Sequence, residues 1–160
     1  MKYRRLDNEE LEALESEFIA FLTAHTITAE DWEHMKKAEA EKVERLIEKF
    51  SDIVFEKVLS KVQILETRTP KDLRFYEFLE DKIKIVGLVI EGETKVTFEG
   101  TNDLQQILED FKKSGAKLKT YTAKRPYKKL KEMEVFALIE TQGALIVQDD
   151  TLYRSLSEED

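Results

Sequence analysis

The sequence contains no cysteine, which excludes disulfide bonds, thiolate metal sites and cysteine nucleophiles and leaves the redox compartment open. Its 5 glycines and 2 prolines favour long regular elements with short connections over a disordered chain. The longest apolar run, Ile85–Ile90, is far shorter than the roughly 20 residues of a membrane-spanning helix. The opening MKYRRLDNEELEALE lacks the apolar region of a signal peptide. The sequence therefore predicts a soluble cytoplasmic protein with no membrane role.

Charged side chains, by contrast, make up 38% of the chain, and hydrophobic side chains make up 41%. The hydrophobic share is enough for the core of a single domain, residues 1–160. We expect a helical part over 7–60, a sheet-containing part over 61–156 and an acidic tail over 157–160. The net charge of -8 argues against non-specific binding of the whole molecule to nucleic acid or acidic membranes.

The stretch Lys82–Ile90, KIKIVGLVI, is the most apolar part of the sequence. A strand with one wet face shows a polar residue at every second position, whereas this stretch is apolar at both sets of positions after its two lysines. The pattern predicts a central strand that is covered on both faces.

Two capping boxes mark helix starts before this strand. Asp7 is followed by Glu10, and Thr28 is followed by Asp31, each three residues later and next to an apolar residue. Helical spacing of apolar residues after each box predicts two helices, and a third and longest helix covers 40–60. Its charged face is predicted to lie in solvent.

After residue 61 the hydrophobic period changes to that of strands. The predicted strands are 62–66, 73–79, the central strand and 95–98, which together form an antiparallel meander. A helix from Asn102 to Ser114 and a short strand over 117–122 follow.

The last third is less regular. Residues 126–142 fit either a helix or a strand, and Pro126 and Gly143 favour the helix. Residues 144–147 and 152–156 suggest a closing hairpin around Asp149-Asp150. The predicted fold class is α+β, with N-terminal helices packed on a mostly antiparallel sheet and further helices near the C-terminus.

Four stretches resemble parts of a family of short bacterial proteins of unknown function. They are MKYRRLDNEELEALESEFIAFL, ITAEDW, FSDIVFEKVL and, more weakly, LIETQGALIVQDDTLYRSL. The resemblance covers most of the chain and includes no catalytic motif. It implies a bacterial cytoplasmic protein of similar length and transfers neither an activity nor a site residue.

The stretch from Lys112 to Lys131 has an unusual charge. It holds nine of the 26 basic residues and none of the 34 acidic ones. Tyr121 and Tyr127 lie among the cations and could stack on nucleic-acid bases. The nine basic residues are Lys112, Lys113, Lys117, Lys119, Lys124, Arg125, Lys128, Lys129 and Lys131.

A helix that begins at Pro126 would place cations at its positive end, where each is unfavourable by roughly 0.3–1 kcal/mol. An anion held by the free amides would reverse that sign. The hypothesis is an anion-binding site for RNA or another polyanion. Its residues are Lys124, Arg125, Tyr127, Lys128 and Lys129. Alternatively, residues 112–131 face acidic helices of the same chain, the acidic surface of a partner protein, or a second copy in a homo-oligomer.

A metal-dependent nuclease is a second hypothesis. The order helix, three strands, helix, strand is also that of the restriction-endonuclease-like core, in which an Asp and a Glu-x-Lys on adjacent strands hold Mg²⁺. Asp81 with Glu93 and Lys95 supplies these residue types. With 34 acidic residues and 19 lysines, chance alone gives on the order of four acid-x-Lys matches, so the match carries little weight.

The remaining candidates fit structural roles better. His25 and His34 lack the spacing of a metal pair, and His25 is predicted to cap a helix end. Trp32 is predicted to anchor a helix start. No serine–histidine–aspartate order or glycine-rich phosphate loop is visible, so no catalytic residue, metal site or cofactor is assigned. The predicted function is a non-enzymatic binding or regulatory module, with a structural homo-oligomeric protein as a further alternative.

Overall fold

The computed structural model describes residues 1–100 and 103–157. The chain forms two compact units, Met1–Ser60 and Lys61–Asp160, here called the helical unit and the sheet unit. Their boundary coincides with the residue at which the hydrophobic period changes from helical to strand spacing. No helix in the described part of the chain is both long enough and apolar enough to cross a membrane.

The helical unit contains four helices, and both predicted capping boxes are formed. The N–H of Glu10 donates to the Asp7 carboxylate at 2.8 Å, and that of Asp31 donates to the Thr28 hydroxyl at 3.1 Å. The first predicted helix is divided at Leu14, and His25 caps the second segment as predicted. The helices are α1 (Asn8–Ala13), α2 (Glu15–Ala24), α3 (Ala29–Ala38) and α4 (Ala40–Ser60).

The N-terminal segment is held along α4 by two adjacent side chains. Ser51 is fully buried, and its hydroxyl accepts a hydrogen bond from the N–H of Leu6 at 2.9 Å. The carboxylate of Asp52 accepts from the N–H groups of Lys2 and Tyr3. A serine and an aspartate of α4 therefore accept hydrogen bonds from the backbone N–H groups of residues 2, 3 and 6.

The sheet unit has a five-stranded sheet in the order β4-β3-β2-β1-β5, and every pairing is antiparallel. The α+β class is thus confirmed, because helices precede and follow an antiparallel sheet. The strands are β1 (Ile64–Arg68), β2 (Asp72–Phe78), β3 (Lys82–Glu91), β4 (Lys117–Pro126) and β5 (Leu145–Ile146). The helices are α5 (Leu104–Ser114), α6 (Lys131–Gln142) and α7 (Thr151–Ser157).

β3 has a partner strand on each side, as predicted, but the middle strand of the sheet is β2, and β3 lies next to the edge strand β4. On one face, Val86 lies opposite Phe75 of β2 and is fully buried. This face forms the main core of the unit together with α5, α7 and Phe98. The buried members are Ile64, Leu73, Phe75, Val86, Leu88, Ile90, Phe98, Ile107, Phe111 and Tyr153.

The predicted strand over 95–98 is wrong. Residues 92–100 have no regular structure, although Phe98 is fully buried and its N–H donates to the carbonyl of Pro70 at 3.2 Å. Phe98 is therefore apolar because it packs in the core, and its segment does not pair in the sheet. The strand that pairs with β3 on the side away from β2 is β4, which is longer than the predicted strand over 117–122.

Two predictions near the C-terminus also need correction. Pro126 ends β4, and α6 begins only at Lys131, so the helix predicted over 126–142 starts five residues later. The closing hairpin is absent from the described residues, because β5 pairs with β1 and the following segment is α7. Asp149 accepts from the N–H of Thr151 at 3.0 Å and so starts a helix, where a hairpin turn was predicted.

The capping residue predicted for α5, Asn102, lies outside the described residues, as does most of the predicted acidic tail. Asp103 caps α5 by accepting from the N–H of Gln105 at 3.0 Å. Gly115 ends the helix in the left-handed conformation, with φ of 75°, as predicted.

α7 is attached to the sheet by a buried carboxylate. Glu77 of β2 accepts from the Tyr153 hydroxyl at 2.9 Å and from Arg154 at 2.7 Å. Burial, followed by the hydrogen bond to Glu77, raises the pKa of Tyr153 to about 12. In the described residues, no buried side-chain nitrogen or oxygen lacks a hydrogen-bond partner.

Candidate anion-binding edge

β4 forms one edge of the sheet along its whole length. Its ten residues pair with β3 without interruption, from Pro126 opposite Lys82 to Lys117 opposite Glu91. On its outer side, β4 has no partner strand among the described residues. A strand paired on one side only leaves the N–H and C=O groups of every second residue free to bind another chain.

The two faces of β4 differ in chemistry. One face continues the main core outwards, because Leu118, Thr120 and Thr122 lie opposite Ile90, Leu88 and Val86 of β3. The other face is basic and aromatic. Its members are Lys117, Lys119, Tyr121, Ala123 and Arg125.

Five lysines of this region are exposed and form no ion pair with any residue that the structure describes. We call this set the basic edge. Its members are Lys117, Lys119 and Lys124 on β4 and Lys128 and Lys129 in the turn that follows. Lys112 and Lys113, in the last turn of α5, are likewise exposed.

A pair of like charges strengthens the positive field at one end of the basic edge. Lys124 lies directly opposite Lys84 of β3 on the same face of the sheet. Side chains opposite each other on an antiparallel pair have Cβ atoms about 5 Å apart, and like charges at that distance are destabilising. The Lys84 ammonium donates to the Ser157 hydroxyl at 2.7 Å, whereas Lys124 forms no ion pair with a described residue.

Arg125 differs from these lysines because it is bound to a buried carboxylate. Its guanidinium donates to Glu134 of α6 at 2.8 Å, and the N–H of Lys128 donates to the same carboxylate at 3.0 Å. Burial tends to raise the pKa of Glu134, but the hydrogen bonds from Arg125 and from the N–H groups of Lys128 and Lys129 outweigh it and lower the pKa. The anion expected near a helix start in this region is therefore a side chain of the protein itself.

Both tyrosines of the basic stretch form hydrogen bonds within the protein. The Tyr127 hydroxyl donates to the carbonyl of Leu79 in the turn between β2 and β3. Tyr121 lies across Gly87, accepts from Arg74 at 2.8 Å and donates to Asp72 at 3.2 Å. The Arg74 guanidinium also lies 5.7 Å from the centre of the Tyr121 ring. Of the five predicted site residues, the three lysines are thus exposed, and Arg125 and Tyr127 make internal contacts.

The contact between Tyr121 and Gly87 gives a stability prediction. A Cβ atom on residue 87 would lie 2.1 Å from the Tyr121 ring, so Gly87→Ala must displace that ring and its hydrogen bonds. We expect a loss of about 1–3 kcal/mol in the free energy of unfolding, measured by urea denaturation. In a Tyr121→Ala background, the same change should cost much less. Equal losses of unfolding free energy in both backgrounds would contradict the contact between Tyr121 and Gly87.

The nuclease hypothesis is not supported by the position of its residues. Asp81 precedes β3 and Glu93 follows it, so the ten residues of that strand, about 30 Å, separate the two carboxylates. They are too far apart to hold one ion. Within residues 1–100 and 103–157, no group of three histidine, aspartate or glutamate side chains could hold a metal.

The helical unit has an apolar groove of about 410 Å³ between α2 and α3. Its walls include Phe18, Ile27 and Trp32, which also pack against the core of this unit, in keeping with the predicted anchoring role of Trp32. The Phe18 and Trp32 rings meet edge to face, with centres 5.3 Å apart. Because the polar groups at its rim include the Glu33–Lys36 ion pair, few free groups remain to orient a ligand.

Sequence reasoning did not include Lys117 and Lys119 in the predicted site. The detectable signal was their alternation with Tyr121 at a period of two, which places all three on one face of a strand. The buried Glu134 was also missed, because a glutamate in the first turn of a helix is ordinarily exposed.

Among known proteins, the chain matches one family. None of the curated proteins and none of the solved structures matches the chain. One family model matches residues 1–159, which is nearly the whole chain, and it carries no assigned activity. The resemblance noted in the sequence is therefore confirmed at the level of the family. The chain belongs to a family of unknown function, DUF6495.

Proposed function

We propose that this protein is a non-enzymatic binding module that holds an anionic partner along the basic edge. The observation that carries the proposal is the row of five exposed lysines, none paired with a carboxylate of the described residues, along an unpaired strand and the turn after it. We place this binding role in the cytoplasm, because the chain resembles a family of short cytoplasmic proteins.

The spacing of the lysines suits an extended partner. Side chains at alternate positions of a strand lie about 6.7 Å apart on one face, and a ten-residue strand spans about 30 Å. Lys117 and Lys119 lie on one face of β4, Lys124 lies on the other, and Lys128 and Lys129 follow in the turn. The charges thus extend along the edge, which matches a polymer with repeated negative charges better than a compact ligand. Exposed ion pairs contribute only about 0.2–1 kcal/mol each, so useful affinity requires several of them at once.

The proposal predicts the effect of removing two of these charges. Replacing Lys128 and Lys129 by glutamine should weaken binding of polyglutamate on the order of five- to tenfold, since two exposed ion pairs are lost. For single-stranded RNA, the slope of log K against log salt should become less steep by about 1.4, at roughly 0.7 per contact. Fluorescence anisotropy at several salt concentrations measures both quantities.

A matched control is available in the helical unit. Lys42 and Lys49 of α4 are also exposed, so the Lys42→Gln, Lys49→Gln variant has the same net charge and should bind like the unaltered protein. The lysines would instead have an internal role if neither polymer bound in a salt-dependent way and the Lys128→Gln, Lys129→Gln variant melted at a lower temperature.

A further inference from the structure

We infer that the anionic partner is an extended acidic segment of another protein, which adds as a sixth strand beside β4. Such strand addition takes its affinity from main-chain hydrogen bonds and its specificity from the side chains at alternate positions. The inference rests on the proposed function, because it specifies the chemistry of the partner that the same lysines hold.

The backbone of β4 is well suited to receive a strand. All ten residues keep one register with β3, with no bulge, and the single proline is the last residue. Proteins commonly protect an edge strand by making it short, by a bulge, by proline within it or by charged side chains, lysine above all. β4 is neither short nor bulged, and it carries only the lysines, which repel a basic strand but attract an acidic one. Among the described residues, no strand pairs with its outer hydrogen-bonding groups.

The side chains of β4 define what the added strand must carry. Lys117 and Lys119 project from one face, where carboxylates of an added strand would lie beside them. On the other face, Leu118, which is 36% exposed, and two threonines continue the main core as far as Lys124, so apolar side chains of the partner would extend that core beside Leu118. A segment in which acidic and apolar residues alternate satisfies both faces at once.

Two other occupants fit less well. Single-stranded RNA is bound largely by stacking of successive bases on aromatic rings, but the Tyr121 ring lies across Gly87 and beside the Arg74 guanidinium, which leaves Tyr127 as the one other ring of the basic stretch. A second copy of β4 would place strands side by side whose only charged residues are basic. Like charges opposite each other destabilise such pairing.

The test uses a ten-residue peptide of alternating glutamate and valine, with binding measured by fluorescence anisotropy. Methylating the backbone nitrogens of the glutamates blocks one edge of the extended peptide, and methylating those of the valines blocks the other. We expect at least one singly methylated peptide to bind nearly as well as the parent. The peptide methylated on both sets should bind at least tenfold more weakly, although its charge is unchanged.

The outcomes separate this inference from the proposed function. Equal binding of the parent and fully methylated peptides would overturn strand addition and leave an electrostatic binding module. Binding of single-stranded RNA through the same lysines, without binding of the peptide, would have the same meaning. Failure of polyglutamate, RNA and the peptide alike would overturn both proposals.

Charge reversal tests whether Lys117 and Lys119 lie beside the acidic side chains of the added strand. The Lys117→Glu, Lys119→Glu variant should lose binding to the glutamate–valine peptide and bind a lysine–valine peptide at least tenfold better than the unaltered protein does. The Lys42→Glu, Lys49→Glu variant, with the same net charge, should retain the original preference. Equal peptide preferences in the two variants would show that overall charge governs binding and would overturn the inference.

Discussion

Replacing Val86 by aspartate is expected to lower the free energy of unfolding by more than about 3 kcal/mol, because it buries a carboxylate that has no partner. Val86 is fully buried in β3 and lies between Phe75 of β2 and Thr122 of β4. The surrounding core is mainly aliphatic and phenyl, and the hydroxyl of Tyr153 in it already donates to Glu77. Urea denaturation followed by circular dichroism measures the loss, or shows that the variant does not fold.

The control places the same substitution on the surface. Val58 of α4 is 49% exposed, so Val58→Asp keeps its carboxylate in water and should lower stability by about 1 kcal/mol or less, the cost of an anion in the last turn of a helix. The interior position of β3 would be contradicted if the two variants unfolded at similar urea concentrations.

Features set by neighbouring residues were predictable from the sequence. Both capping boxes, the left-handed exit at Gly115 and the long helix over 40–60 depend on residues within a few positions of one another. The interior strand was recognisable because its apolar residues occupy both faces, a pattern that burial on one side does not produce. These features, together with the change of period after residue 60, were enough to predict the α+β class.

Features set by contacts between distant residues were not predictable. β4 pairs with β3 although the two strands are separated by α5, and the residues predicted as the fourth strand enter the core without pairing. The position of β4 at an edge decides which lysines are exposed along it. The contact of Tyr121 with Gly87 likewise depends on this pairing. A charge count over 112–131 identified the basic region but could not separate Arg125, which is paired internally, from the lysines.

A second prediction with a large effect concerns Glu134, whose carboxylate binds Arg125. Replacing Glu134 by alanine should cost about 2–3 kcal/mol, because hydrogen bonds to a charged group are lost and the N–H of Lys128 is left without this acceptor. The change should also loosen the turn after β4 and weaken binding of polyglutamate by the basic edge. Urea denaturation and fluorescence anisotropy measure the two effects on the same variant.

Because its pKa is lowered on folding, Glu134 also makes the stability of the protein depend on pH in a defined direction. The folded protein lowers this pKa below its ordinary value of 4.5, so the stabilisation is complete above that value and is lost as the pH falls below it. The stability difference between the unaltered protein and Glu134→Gln should therefore shrink on acidification. Glu132→Gln, two residues earlier on α6, removes a carboxylate that forms no ion pair with the described residues and should leave stability and binding nearly unchanged. Similar losses in the Glu132→Gln and Glu134→Gln variants would mean that the charge of the first turn of α6, and not the bond to Arg125, fixes the turn after β4.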